Sequence, residues 1–155
     1  MKTFKELFQA ASQTDRRTIA VAGAHDREVI LALKEAVNHF HIRAILLGNA
    51  EKISRFLGGN GNPDTDFEII DVPDDLSCIR KAVHLVHCGK ADILMKGFME
   101  SSIFLKELLD PLIGLRTSGQ YIATTAIMET DQRLLFITDP GFTPLPDLQM
   151  KKAHL

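Results

Sequence analysis

From Arg17 onward, short runs of aliphatic and β-branched residues alternate with longer segments in which apolar residues return every three or four positions. That rhythm predicts a parallel sheet covered by helices. Thr18 to Ala22 is the first predicted strand. Gly23 breaks it, and Asp26 opens a helix whose buried stripe is Val29, Ile30, Leu33, Ala36, Val37 and Phe40. Arg43 to Leu47 is the second strand; it ends in Gly48-Asn49, where Asn49 suits the N-cap of a short helix carrying Ile53, Phe56 and Leu57. Gly58 to Asp66, rich in Gly and Asn and holding Pro63, sustains neither period and is expected to be an exposed loop. Phe67 to Asp71 follows as a strand, then Pro73-Asp74 starts a helix with Leu76, Ile79, Val83 and Val86 on its apolar face, closed by Gly89. Asp92 to Met95 is the fourth strand; it runs into Lys96-Gly97 and a helix bearing Phe104, Leu105, Leu108 and Leu109, which stops at Asp110-Pro111. Beyond Gly114 the pattern changes to two neighbouring β runs, Tyr121 to Met128 and Arg133 to Thr138, joined by polar residues suited to a hairpin. Pro146 to Leu155 begins like a helix.

These elements predict one α/β domain over residues 1–155: a mostly parallel sheet with helices on both faces and a small β hairpin near the C-terminus. A length of 155 residues with 45% hydrophobic composition is enough to bury one core. The formal net charge of -2, with no Lys/Arg cluster, argues against a nucleic-acid binder, which needs many cations facing many phosphates. No apolar run approaches the roughly 18 residues needed to cross a bilayer, and the start MKTFKELFQAASQ carries charges where a signal peptide would be apolar. No membrane is expected, and the expected location is cytoplasmic. Cys78 and Cys88 lack C-x-x-C spacing and both fall in a helical pattern, so reduced thiols are expected.

Parallel sheets gather ligands at the carboxyl ends of their strands, which makes the loops at Gly23 to Asp26, Gly48-Asn49, Lys96 to Ser102 and Asp139 to Thr143 the places to look. Lys96-Gly97, followed by Ser101-Ser102 at a helix start, offers an ammonium, two hydroxyls and unpaired N–H groups together, the outline of an anion site. The same residues also suit a plain arrangement in which Ser101 caps the helix and Lys96 is solvated. The Walker spacing is absent, and Gly23-Ala24-His25-Asp26 lacks G-x-G-x-x-G, so Gly23 reads as a tight turn and Asp26 as an N-cap. Gly114 to Gly119 sets Arg116 and Thr117 in a glycine-bounded loop suited to phosphate or carboxylate oxygens. Asp139, before Pro140-Gly141, suits a base, an acceptor or an ordinary turn. His84, His87 and Cys88 fall short of four convergent metal ligands, so no metal is expected, and neither cysteine has an activating environment.

Taken in order, Thr18-Ile-Ala-Val-Ala-Gly-Ala24, Ala44-Ile-Leu-Leu-Gly48, Phe67-Glu-Ile-Ile-Asp71, Gly89-Lys-Ala-Asp-Ile-Leu-Met-Lys-Gly97, Gly114-Leu-Arg-Thr117, Leu135-Phe-Ile-Thr-Asp139 and Pro146-Asp-Leu148 resemble the N-terminal half of the phosphate acetyl/butyryltransferase family, with the butyryl branch as the nearest likeness. The resemblance implies an isopropylmalate-dehydrogenase-like lobe and reversible acyl transfer between coenzyme A and phosphate. Coenzyme A would be a substrate, with no tightly bound cofactor. It also singles out Lys96, Gly97, Ser101, Ser102, Arg116, Thr117 and Asp139 as substrate- or phosphate-binding residues. Departures from the butyryl pattern are Ala123-Thr124, where a Ser-His pair is common, and Thr143, where an Asn is common. Family members are roughly twice as long, and their second domain supplies a Ser-Arg pair and an Asp. The chain is therefore expected to be a fragment, a truncated gene product or a non-catalytic acyl-CoA- or anion-binding relative, and to self-associate, with a dimer favoured. A nucleotide-binding domain of signalling type is the third reading. The turns bearing Lys96 and Arg116 are expected to face one pocket.

Overall fold

In chain order the first elements are helix α1 (Phe4–Ala11), strand β1 (Arg17–Ala22), helix α2 (Arg27–His39), strand β2 (Ile42–Gly48), helix α3 (Ala50–Leu57) and strand β3 (Phe67–Asp71). Helix α4 (Asp75–His87), strand β4 (Ile93–Lys96), helix α5 (Ser101–Leu108), strands β5 (Thr125–Glu129) and β6 (Leu134–Thr138), and helix α6 (Leu148–Ala153) complete it. The computed structural model describes residues 2–58, 66–116, 122–141, 143 and 145–153. Most of the predicted 58–66 loop, with Thr117 and Tyr121, lies outside them. Two compact units result, Thr14–Leu115 and a second built from Met1–Gln13 with Arg116–Leu155.

In the first unit β1 to β4 form a wholly parallel sheet in the order β3-β2-β1-β4. From Ile19 in β1 and Ala44 in β2 the central strands are apolar without interruption, because the pleat sends alternate residues into two separate cores. Ala20 and Ala22 of β1 join Ile45 and Leu47 of β2 on one face, packed by Ile79 and Val83 of α4. Val21, Ala44 and Leu46 face the other way, against Ile30 and Leu33 of α2 and Ile53 of α3. Helices thus cover both faces, as the sequence rhythm predicts. Their starts are fixed by short acceptor side chains that satisfy otherwise unpaired amides. Asp26 accepts from the Glu28 and Val29 amides at 3.0 and 3.1 Å, and Asn49 from Lys52 at 2.9 Å. Helix α5 is clipped to α4 by Arg80, whose Nε donates to Oε2 of the buried Glu107 at 2.9 Å.

In the second unit β5 and β6 pair antiparallel from Thr125 opposite Thr138 to Glu129 opposite Leu134, the predicted hairpin. The Phe4 amide at the start of α1 donates to Glu129 Oε2 at 2.6 Å. Helix α1 was not among the predicted elements. Its local signal is Thr3, whose hydroxyl accepts from the Glu6 amide at 3.2 Å, in the spacing of a capping box.

Three carboxylates hold turns of the first unit. Asp74 takes the Ser77 amide at the α4 N-cap, at 2.9 Å. Asp92 takes the Thr18 amide at 2.8 Å and an Arg17 guanidinium nitrogen at 3.2 Å. Asp110 takes the amides of Leu112 and Ile113. These bonds, chiefly from backbone amides, hold all three below the ordinary 3.8. A carboxylate depressed by folding adds stability above its unfolded value and loses it as pH falls through the folded one. The thermal midpoint is therefore expected to drop once the pH goes below about 4. Asp92→Asn should flatten that acid limb in a calorimetric pH series while lowering the neutral-pH midpoint.

Candidate functional site

The strand order places the site. The chain steps outward from β1 to β2 to β3, then returns to lay β4 on the other side of β1. Where that order reverses, the loops leaving two neighbouring strand ends part toward opposite faces and leave a crevice. Here the crevice opens after Ala22 and after Lys96. The two loops approach closely, with the Gly97 amide donating to Ala22 O at 2.8 Å and the Phe98 amide to Gly23 O at 2.9 Å. Gly23, at φ +74, turns the chain, and a Cβ on Gly97 would lie 2.8 Å from the Gly23 carbonyl carbon. A cavity of about 450 Å³ results, walled by His25, Asp75 and the 96–100 segment.

Both signs of charge meet there. Lys96 folds its ammonium back to donate to Met99 O at 2.8 Å, bracing the loop while two of its three N–H bonds remain. Asp75 is the first residue of α4 and Glu100 the N-cap residue of α5. Ser101 does not cap α5, contrary to the simpler expectation. It is the exposed first helical residue, and the Glu100 cap makes no side-chain bond to the helix amides. Glu100 instead accepts from Ser102 Oγ at 3.3 Å. Phe98, 67% exposed, adds an apolar face at the rim. Lys96 and Gly97 thus sit in the cavity wall, with Ser101 and Ser102 just beyond it.

His25 is held by β2. A Cβ at Gly48 would stand 2.7 Å from His25 Nδ1, so a glycine is what admits the ring. That nitrogen is buried and, among the described residues, has no hydrogen-bond partner.

The cysteines are unsuited to nucleophilic work. Cys78 is fully buried, and burial pushes its thiol up from the ordinary value. Cys88 is not in the body of a helix as expected; it is the exposed C-cap residue of α4. Among the described residues, no three His, Cys, Asp or Glu side chains are grouped to hold a metal ion.

In the second unit Arg116 is exposed, and Thr117 lies outside the described residues. Asp139, at the end of β6, acts as an acceptor. Its Oδ1 takes the Thr124 hydroxyl at 2.5 Å and the Thr124 amide at 3.2 Å, and its Oδ2 takes the Thr143 amide at 2.7 Å. Thr124 and Thr143 stand at the positions where the sequence departs from the butyryl-type pattern.

His25, Phe98, Met99 and Glu100 fall in the candidate strand-end loops Gly23 to Asp26 and Lys96 to Ser102 but were not singled out as binding residues, and Asp75 lies outside those loops. The one signal for His25 is its place two residues after a strand-ending glycine, and only the strand order brings that turn beside Lys96.

The fold of this chain is shared with solved phosphotransacylases. A solved branched-chain phosphotransacylase from Enterococcus faecalis superposes with a TM-score of 0.69 at 21% identity, over 89% of this chain and 48% of that one. The sequence pattern defining the family described as phosphate acetyl/butaryl transferase matches residues 75–153, and the chain belongs to that family. It is 36% identical over 153 residues to the phosphate butyryltransferase of Clostridium acetobutylicum, covering 97% of this chain and 50% of that protein. The phosphate butyryltransferase of Clostridium beijerinckii is 35% identical, with 97% and 50% covered. The chain thus spans about half the length of the curated relatives it matches. Among the described residues, no helix is long and apolar enough to cross a membrane.

Proposed function

We propose that this chain is one lobe of a phosphate acyltransferase that moves a butyryl or other short acyl group between coenzyme A and inorganic phosphate in the cytoplasm. The observation carrying this reading is the crevice at the β1/β4 reversal, with Lys96 and Gly97 in its wall, in a chain of this family. Coenzyme A enters as a substrate. A phosphate oxygen attacks the thioester carbonyl, the carbon–sulfur bond breaks, coenzyme A leaves as thiolate, and acyl phosphate is the other product. Such a reaction gains most from fixed cations and N–H dipoles aimed at oxygens that carry charge. Lys96 supplies the cation, Gly97 lets the backbone come close, and Ser101 and Ser102 add hydroxyls beside the uncapped amides of α5. Arg116, Thr117 and Asp139 belong to the same reading through the family resemblance. Exposed apolar side chains such as Phe98 and Leu112, 67% and 88% accessible, support self-association, with a dimer as the expected form. A second reading, an acyl-CoA- or anion-binding module without turnover, is favoured by Asp139, whose oxygens are engaged by Thr124 and Thr143.

Calorimetric titration of the 155-residue chain with butyryl-CoA, paired with an assay of coenzyme A thiol release in phosphate, tests this. Binding is expected, with Lys96→Met weakening it about tenfold, the loss of one charge-assisted contact. No binding of any short acyl-CoA would overturn the proposal. Binding without thiol release supports the one-lobe reading, and robust release would overturn that part.

A further inference from the structure

We infer that His25 is a ligand-binding residue of the strand-end cavity, donating from Nε2 to a phosphoryl oxygen held jointly with Lys96. The inference rests on the proposed function for the ligand's identity and on geometry for the residue. Buried polar atoms are nearly always hydrogen-bonded, so the orphaned Nδ1 needs a reason. The structure does not relieve it: Gly48 leaves room for the ring, and the ring takes that room at the cost of an unpaired nitrogen. An arrangement of this kind fixes the ring's direction. With Nδ1 sealed against β2, Nε2 is the nitrogen left to meet a ligand in the cavity that His25 helps to wall.

The tautomer follows from the same contact. A buried N–H without an acceptor is the rarer and costlier defect, so in the uncharged ring the proton belongs on Nε2. His25 therefore presents a donor to the cavity. Lys96 has two N–H bonds left after its bond to Met99 O, and the first amides of α5 lack a side-chain cap. A phosphoryl group, all acceptors, matches that set of donors. The carboxylates of Asp75 and Glu100 in the same wall oppose an anion, so binding of inorganic phosphate should be weak and sensitive to the loss of one donor.

Phosphoryl oxygens reach this cavity either as inorganic phosphate or on coenzyme A, and the test separates the two. Long-range ¹H–¹⁵N NMR of the imidazole nitrogens would be recorded on the full 155-residue chain, titrated with inorganic phosphate and, separately, with coenzyme A. The free protein should show His25 with its proton on Nε2, and Nε2 should shift on titration. A response to inorganic phosphate assigns that source, and a response to coenzyme A alone assigns its phosphates; either supports the role of His25. His25→Gln, which keeps a donor near the Nε2 position, should retain binding within about twofold, while His25→Phe should weaken it about tenfold. Should His25→Phe fail to fold, the wild-type spectra and the glutamine variant still decide. The inference is overturned if the proton sits on Nδ1, or if His25 stays unmoved by both inorganic phosphate and coenzyme A while butyryl-CoA binds. Loss of butyryl-CoA binding in the wild-type chain would instead remove the proposed function beneath it.

Discussion

Gly97→Ala is expected to remove a large share of the stability of the Thr14–Leu115 unit, at a cost of about 4 kcal/mol or more, out of the 5–15 kcal/mol typical of a folded domain. The new Cβ would stand 2.8 Å from the Gly23 carbonyl carbon and 3.0 Å from the Ala22 oxygen. Both are backbone atoms of a central strand end, so neither can swing aside as a side chain would. Relief requires β4 to separate from β1, which would break the bonds from Gly97 to Ala22 O and from Phe98 to Gly23 O and open the cavity. Gly89→Ala provides the contrast. Gly89 has a positive φ, +71, and among the described residues no atom lies within 4 Å of the added Cβ, so only the left-handed conformation is penalised, by about 1 kcal/mol. Chemical denaturation of the two variants measures the difference. Equal costs would mean that the two strand-end loops do not approach as described.

Ile79→Ala and Ile30→Ala are expected to cost about 2–5 kcal/mol each, and to cost similar amounts, because the sheet is buried on both faces. Ile79 projects from α4 into the core that holds Ala20, Ala22, Ile45 and Leu47. Ile30 projects from α2 into the core that holds Val21, Ala44 and Leu46. Both side chains are fully buried, so each truncation loses the transfer energy of the removed carbons and leaves a void. Phe136→Ala on β6, where the ring is 61% exposed, should change stability by less than about 0.5 kcal/mol despite the larger side chain removed. Denaturant midpoints of the three variants test this ordering. A cheap Ile30→Ala beside a costly Ile79→Ala would mean that one face of the sheet is open.

The elements of the first unit were legible because each rests on a short-range rule. A continuous apolar run such as Thr18 to Ala22 reads as a strand, a three-to-four spacing such as Leu76, Ile79 and Val83 reads as a helix, and Asp26, Asn49 and Asp74 announce helix starts by accepting amides two or three residues ahead. Lys96 and Gly97 were legible for the same reason, as a cation and a glycine at a strand end. Ser101 was misplaced as a cap, since Ser101 and Glu100 are neighbours and one residue of phase separates cap from first turn. Helix α1 carries a helical stripe of its own, Phe4, Leu7, Phe8 and Ala11, but it lies ahead of the β/α alternation that starts at Arg17 and buries none of its residues fully.

What the sequence determined by itself was the strands and helices of the first unit, the parallel α/β class and a family likeness carried by Gly89 to Gly97. Strand order was left to the tertiary structure, because residue spacing along a chain does not say whether β4 returns beside β1 or continues past β3. That choice puts His25 and Lys96, 71 positions apart in the sequence, around one cavity. It also explains why Gly48 faces an imidazole and Gly97 a carbonyl: both glycines answer to contacts that exist only once the strands are side by side.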